Sequence, residues 1–163
     1  MKKGLILTLG VLFIVGCGNN QQQSETGFQG VAEKKDYLAQ GMQYLQDSDI
    51  KNAIRSFDQA IKQDPKNPKN YLVLGEVYMR LKNYDSAVDA LTGASRVDPD
   101  NGDTFYLIAV ARSFQGRNEE AIVAAQRSIE IYVKKKDEEN FKRSVMLLER
   151  LKKQTSEQVQ TKI

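Results

Sequence analysis

Hydrophobic and polar positions divide the chain into three stretches. Residues 5–15 are almost entirely apolar, and residues 18–30 consist mainly of Gly, Gln, Asn and Ser. In the remaining sequence, apolar and small residues recur with helical spacing, beginning with Tyr37, Gly41 and Tyr44. Residues separated by four and then three positions lie on one face of a helix. The pattern therefore predicts that the third stretch folds into amphipathic α-helices.

The helical pattern repeats at an interval of 34 residues with no insertion or deletion. Each of the copies 34–67, 68–101 and 102–135 has an aromatic and a small residue in its first half, and small and apolar residues in its second half. The main columns are Tyr37, Gly41, Tyr44, Ala53, Phe57, Ala60 and Pro65; Tyr71, Gly75, Tyr78, Ala87, Leu91, Ala94 and Pro99; and Phe105, Ala109, Arg112, Ala121, Ala125, Ser128 and Val133. A period of this length indicates stacked copies of one supersecondary unit.

Each copy is predicted to form two antiparallel helices. The small column of Gly41, Gly75 and Ala109 allows the second helix of each pair to approach the first closely, and the large residues fill the space between helices. Pro65 and Pro99 are expected to end the second helices of the first two copies, because proline cannot continue a helix.

The predicted starts of the second helices lie at Asp49, Tyr84 and Asn118, of which Asp49 and Asn118 are suitable N-caps. With one further helix after the third copy, the sequence predicts seven helices and no strand. The expected fold class is therefore all-α.

These columns resemble the tetratricopeptide repeat, and the resemblance covers the three copies between residues 34 and 135. It implies a short α-solenoid of three stacked helix pairs. Four positions depart from the family pattern, namely Gln40, Arg112, Ala125 and Val133. Three of the four lie in the third copy, and terminal repeats of a solenoid are commonly atypical.

Residues 136–154 are predicted to form an amphipathic helix that covers the apolar end of the stack. Asp137 is a suitable N-cap, and residues 155–163 are expected to form a frayed tail. The apolar positions of this helix are Phe141, Val145, Leu148 and Leu151. No Gly or Pro follows residue 118, so a single bent helix over 118–154 is an open alternative.

Residues 1–16 are typical of a signal peptide. Lys2 and Lys3 precede the apolar run, which is about half as long as a membrane-spanning helix requires. The sequence Ile14-Val15-Gly16-Cys17 resembles the lipobox of bacterial lipoproteins. This resemblance implies cleavage before Cys17 and acylation of Cys17 with fatty acids such as palmitate. The alternative is an ordinary secreted protein with an incidental cysteine.

Residues 17–30 are then the lipidated cysteine and a linker, whose composition is typical of a flexible segment. Gly18 follows Cys17 where an aspartate would retain a lipoprotein at the inner membrane. In a Gram-negative cell the resemblance therefore implies the outer membrane, facing the periplasm. In a Gram-positive cell it implies the outer face of the plasma membrane.

Composition argues against the common kinds of enzyme. The chain has no histidine and a single cysteine, which excludes a Ser-His-Asp triad and a histidine-ligated zinc. Acidic pairs at Glu119-Glu120 and Glu138-Glu139 lie at predicted helix starts, and Lys134–Lys136 lies at a helix end. Such charges complement helix dipoles. We expect no catalytic residue, no metal and no cofactor.

Net charge gives little support for a nucleic-acid partner. The chain carries a formal charge of +3, and Lys2 and Lys3 in the predicted signal peptide supply two of these charges. We expect no nucleic-acid binding.

The resemblance implies that the first helix of each pair lines a peptide-binding groove. The corresponding residues here are Lys35, Leu38, Met42, Leu45, Lys69, Leu72, Glu76, Met79, Asp103, Tyr106, Val110 and Ser113. An apolar stripe of Leu38, Leu72 and Tyr106 with a charged rim suits an extended or helical peptide. The alternative is that these three side chains pack against one another and close the groove.

One type of groove is disfavoured. Related repeats that clamp a peptide carboxylate use cationic and amide side chains, whereas the matching positions here are Leu38, Met42, Val73, Asp103 and Leu107. The expected function is a membrane-anchored scaffold that binds another envelope protein or a peptide segment of it. It would support envelope assembly, in pilus formation, secretion or outer-membrane protein biogenesis. The alternative is a periplasmic small-ligand-binding component of a transport system.

Overall fold

The computed structural model describes residues 35–160, with side chains through residue 157. The predicted signal peptide, Cys17 and the linker lie outside the described residues, as do residues 161–163. Within the described range the chain forms seven α-helices and no strand. The predicted all-α fold class is confirmed.

The helices form three consecutive pairs followed by a single helix. They are α1 (Tyr37–Gln46), α2 (Ile50–Gln63), α3 (Pro68–Arg80), α4 (Tyr84–Val97), α5 (Gly102–Phe114), α6 (Asn118–Lys135) and α7 (Glu138–Gln160). Each helix packs against the next one along the chain, and α5 also contacts α3 and α7.

Small residues in the first helices set how closely the pairs pack. A Cβ atom added to Gly41 would lie 2.4 Å from Cε1 of Phe57, and one added to Gly75 would lie 2.7 Å from Cδ2 of Leu91. Both Phe57 and Leu91 are fully buried. The large residue of each second helix therefore occupies the space that a side chain on the first helix would need.

The second helices all begin at the same position of the repeat. The backbone N–H groups of three alanines, one at the start of each second helix, donate to the carbonyl oxygens of Asp49, Asn83 and Arg117. The Asp49 side chain also accepts from the Asn52 N–H at 3.2 Å, so the predicted cap is confirmed. Tyr84 and Asn118 begin α4 and α6, as predicted. The N-cap of α6 is Arg117, so the prediction of Asn118 as a cap is wrong.

The second helices end as their sequences predict. Asp64 and Asp98, each followed by proline, are the C-cap residues of α2 and α4. In the third copy Val133 replaces the proline, and α6 continues to Lys135. The missing proline thus makes α6 longer than its counterparts.

Lys136 and Asp137 interrupt the helix between α6 and α7. The alternative of one bent helix over residues 118–154 is therefore excluded. Lys136 adopts the left-handed conformation with φ of 55°. The Asp137 carboxylate accepts from the Asn140 N–H at 3.1 Å, which confirms it as the cap of α7. The Asn140 side-chain amide also donates to this carboxylate at 2.8 Å, and the side-chain and backbone hydrogen bonds from Asn140 together lower the pKa of Asp137.

The last helix is longer than predicted. It runs through Gln160, so the expectation of a frayed tail from residue 155 is wrong for residues 155–160. Thr155 is half-buried, and its hydroxyl donates to the carbonyl of Leu151 at 2.9 Å. No Gly or Pro interrupts the helix in this region.

Helix α7 covers α6, as a capping helix should. Its buried stripe consists of Ser144, Leu147 and Leu151, whereas Val145 and Leu148 are half-buried. The Ser144 hydroxyl lies 3.0 Å from that of Ser128, which itself donates to a backbone carbonyl of α5. These hydrogen bonds satisfy the buried hydroxyl groups at the junction.

None of the helices within residues 35–160 combines the length and the apolar character needed to cross a bilayer.

Candidate functional site

The predicted groove residues lie on the first helix of each pair, apart from Lys35, which precedes α1. We call this surface the first-helix face. Within α3, the spacing of Lys69, Leu72, Glu76 and Met79 places the four side chains on one side of the helix. The exposed members of the predicted set are Lys35, Met42, Lys69, Glu76 and Asp103. The half-buried members are Leu38, Leu45, Leu72, Met79, Tyr106, Val110 and Ser113.

The three residues of the predicted apolar stripe do not form one cluster. Leu38 packs against the core cluster that contains Phe57. Tyr106 packs against a different cluster, which contains Ala109 and Leu147. Leu38 and Tyr106 are therefore each held by contacts with the core.

Apolar surface is left exposed at both ends of the first-helix face. Met42 on α1 keeps 45% of its surface exposed, and Met146 on α7 keeps 64%. Neighbouring Leu38 and Leu45 are partly covered because they pack against the core. The exposed methionines are flexible apolar contacts of the kind that adapt to a partner.

Helix α7 extends the first-helix face beyond the third pair. Together with Tyr106 it borders a pocket of about 560 Å³. Successive turns of α7 supply Lys142, Met146 and Arg150 to this pocket. The remaining lining residues are Glu138, Glu139, Arg143 and Leu147. The pocket therefore combines an apolar floor with charges of both signs.

A hydrogen-bonded group fixes α7 against α5. Oδ1 of Asp103 accepts from Nη2 of Arg143 and from the hydroxyl of Tyr132, each at 2.7 Å. The guanidinium of Arg143 also lies 4.2 Å from the centre of the Tyr106 ring, a cation–π distance. Two predicted groove residues, Asp103 and Tyr106, are thus engaged by the capping helix.

Burial raises the pKa of Tyr132 well above its ordinary value, and the hydrogen bond to Asp103 raises it further. The phenol therefore stays protonated near neutral pH and remains a donor to Asp103.

The sequence prediction missed the part of the site that α7 contributes. Its pattern was interpreted only as a cap, although Lys142, Met146 and Arg150 recur every four residues. The N-caps of α5 and α7, Asn101 and Asp137, are 36 residues apart rather than 34. Because the repeat period is 34 residues, α7 is two residues out of register with the first helices, and the period alone does not identify it as their counterpart.

The most divergent copy retains the fold. Arg112, which stands where the repeat has tyrosine, pairs with Glu120 at 3.4 Å and donates to Gln115 at 3.1 Å. Ala125, at the position of Phe57 in the first copy, is fully buried. The substitutions alter the packing of the third pair without disrupting it.

The charge clusters singled out in the sequence lie at helix ends. Glu119 and Glu120 lie in the first turn of α6, and Lys134 and Lys135 lie in its last turn, as expected. Among residues 35–160, no group of three or more acidic, histidine or cysteine side chains is arranged to hold a metal ion.

Comparison with known proteins supports the repeat assignment. Residues 44–103 match the family described as Tetratricopeptide repeat. No curated protein matches the chain.

Solved structures of similar fold include PcrH, SycD and the first tetratricopeptide repeat of Spaghetti. PcrH in complex with the chaperone binding region of PopD has a TM-score of 0.67 and 17% identity, and the match covers 73% of this chain and 90% of PcrH. SycD, a type III secretion translocator chaperone of Yersinia enterocolitica, has a TM-score of 0.67, 18% identity and coverage of 74% and 83%.

The first tetratricopeptide repeat domain of Spaghetti, bound to an HSP90 peptide, has a TM-score of 0.64 and 20% identity. The match covers 74% of this chain and 90% of that domain. At these identities the similarity establishes the fold. The described residues form an all-α solenoid of three helix pairs closed by α7, with the fold of tetratricopeptide-repeat structures.

Proposed function

We propose that this protein is a non-catalytic scaffold whose first-helix face binds a peptide segment of another protein. The observation that carries the proposal is the exposed apolar surface of Met42 and Met146 at the two ends of this face, with the Tyr106 pocket beside Met146. Exposed apolar groups in a concave setting commonly mark interfaces. The solved structures of PcrH and Spaghetti also contain peptide segments of other proteins.

The charges around this face favour a partner of mixed character. Lys35, Lys69 and Glu76 are exposed on the first three helices, and Lys142 and Arg150 border the pocket. Apolar side chains of the partner would supply most of the contact area, and its charged groups would set the register. The peptide would bind as an extended or helical segment across α1, α3, α5 and α7.

A small-ligand component of a transport system is the weaker alternative. Such a site requires a pocket that encloses its ligand and a few convergent polar groups. The pocket at α7 is bordered by side chains that are largely exposed, among them Glu139, Lys142 and Met146. This arrangement suits a side chain of a longer partner better than an enclosed solute.

The proposal includes a membrane anchor at Cys17. Its support is the lipobox-like sequence Ile14-Val15-Gly16-Cys17 after a short apolar run. Two or three acyl chains suffice for stable attachment. With Gly18 after the cysteine, we propose the outer membrane of a Gram-negative envelope and a role in the assembly of envelope structures. Anchoring would raise the local concentration of the scaffold near its partner.

Intact-mass measurement of the protein purified from its own membranes tests the anchor. We expect a mature chain that begins at Cys17 and carries the added mass of acyl chains. A mature form that retains residues ahead of Cys17, or one without acyl chains, would contradict this part of the proposal.

Acidic substitutions test the binding face. Met42→Asp and Met146→Asp should each reduce crosslinked capture of the partner in the native cells by about tenfold or more, because a buried charge would face apolar partner groups. Quantitative mass spectrometry of the crosslinked complexes measures the effect.

Val123→Asp is the matched control for these variants. Val123 is as exposed as Met146, at 65%, but lies on α6 away from the first-helix face. All three variants should keep the helical circular dichroism of the wild type. Unchanged capture by Met42→Asp and Met146→Asp, or equal loss with Val123→Asp, would refute binding at this face.

A further inference from the structure

A second apolar surface lies away from the first-helix face. It consists of Leu81, Tyr84 and Phe114, which we call the edge patch. Phe114 keeps 63% of its surface exposed and Leu81 keeps 45%. The rings of Tyr84 and Phe114 stack with their centroids 4.7 Å apart and their planes 8° from parallel. A large aromatic side chain this exposed is unusual on a surface that meets only water.

The fold brings these residues together at one edge. Leu81 caps the C-terminus of α3, Tyr84 begins α4, and Phe114 ends α5. Since the two helices of a pair are antiparallel, the ends of α3 and α5 and the start of α4 lie at the same edge. Gln115 donates to Asp85 at 2.6 Å and ties the two turns together.

Basic residues flank the edge patch. Arg80 and Lys82 lie on either side of Leu81, and both are exposed. Within the described residues neither forms an ion pair. Asp85 in the following turn accepts from the neutral side-chain amide of Gln115, which does not cancel its charge. On the far side, Arg117 pairs with Glu120. Arg80, Lys82 and Asp85 together carry a formal charge of +1.

The patch is confined to the second and third pairs. In the first pair, Asp47 stands at the position of Leu81, and Asp49 follows two residues later. The pocket beside α7 is lined by other residues. The edge patch is thus a separate surface, apolar at its centre and basic at its side.

We propose that the edge patch docks on an anionic lipid surface. Tyrosine is favoured at the level of lipid headgroups, and phenylalanine and leucine are common on apolar faces that lie in the membrane interface. Adjacent lysine and arginine are attracted to anionic lipids. Lysine is depleted in the cores of protein interfaces, so Lys82 beside Leu81 favours a membrane over a protein partner.

This inference rests on the proposed function in one respect, that the chain is held at a membrane. The segment from Cys17 to Lys34 has 18 residues and a contour length of up to about 60 Å. An anchor at Cys17 would raise the effective concentration of lipid around the described residues.

Tryptophan fluorescence tests the docking directly, because the chain contains no tryptophan. The full chain with Phe114→Trp is incorporated into vesicles of phosphatidylcholine and phosphatidylglycerol that contain brominated acyl chains, which quench nearby indoles. We expect a blue shift of the emission and loss of most of its intensity. Leu81→Trp is a second probe of the same patch and should behave alike.

Val123→Trp is the control, since Val123 is equally exposed on α6. Its emission should remain that of an indole in water. Equal quenching of Phe114→Trp and Val123→Trp would indicate unspecific insertion and overturn the proposal. Equal quenching without phosphatidylglycerol would overturn the preference for anionic lipid. Circular dichroism verifies that each variant is folded.

Vesicle flotation separates failure of the anchor from failure of the docking. A chain that does not float with the vesicles overturns both. A chain that floats while Phe114→Trp and Leu81→Trp keep unquenched, water-like emission overturns the docking alone. That second result would assign the patch to solvent or to a protein partner instead.

Discussion

Replacing Phe57 by alanine is expected to lower the free energy of unfolding by about 3–5 kcal/mol. The Phe57 side chain is fully buried and fills the space above Gly41. Because glycine has no side chain that could move into the vacated volume, the substitution leaves a cavity between α1 and α2. Urea unfolding followed by circular dichroism measures the loss.

The loss of stability in Phe57→Ala should be concentrated in the first helix pair. In a repeat protein each unit contacts only its neighbours, and α1 packs mainly against α2. Hydrogen exchange of the Phe57→Ala variant should therefore show the largest loss of protection in α1 and α2, with α6 and α7 less affected.

Phe114→Ala provides the matched control. It removes the same side chain from a site that is 63% exposed, so its cost should stay below about 1 kcal/mol. If Phe57→Ala were no more destabilising than Phe114→Ala, the close packing of the first helix pair would be refuted.

The packing within pairs could be predicted from sequence because it repeats. Gly41 and Phe57 recur as Gly75 and Leu91 in the next copy. A column of small residues opposite a column of large ones predicts that the large side chains of the second helix pack against the backbone of the first. The helix ends at Asp64-Pro65 and Asp98-Pro99 were predictable for a local reason, since proline stops a helix regardless of tertiary context.

The preferred N-cap residue types did not predict the start of α6, because the cap position of the third copy has a residue that does not cap with its side chain. Asp49, Asn83 and Arg117 occupy one repeat position, but Arg117 has no carboxylate or amide oxygen with which to cap. The sequence therefore favoured Asn118, one residue later. The position of the backbone hydrogen bonds, and not the preferred residue type, fixes where α6 begins.

The contribution of α7 to the binding face could not be predicted from the period. Loss of the proline at Val133 lengthens α6, and the following helix is displaced by two residues from the register of the repeat. The contacts of Asp103 with Tyr132 and Arg143 span 29 and 40 residues. Neither separation corresponds to a local motif, so only the folded chain reveals the pocket.

Replacing Tyr132 by alanine is expected to cost about 3–5 kcal/mol of unfolding free energy. The ring is 3% exposed and lies so close to Gly102 that an added Cβ atom there would be 2.6 Å from Cζ of Tyr132. The substitution opens a cavity between α5 and α6 and removes a donor from Asp103. Since Asp103 also binds Arg143 of α7, the capping helix should lose hydrogen-exchange protection together with α6.

Tyr132→Phe separates the hydrogen bond from the packing. It keeps the ring and removes only the donor to Asp103, so its cost should be about 1 kcal/mol near neutral pH. Because the pKa of Tyr132 is raised in the folded protein, the unfolded chain loses this proton first as the pH rises above about 10. The stability of the wild type should then fall relative to Tyr132→Phe. A stability difference that stays constant from neutral pH to well above pH 10, roughly the ordinary tyrosine pKa, would show that burial and the contact with Asp103 do not raise the pKa of Tyr132.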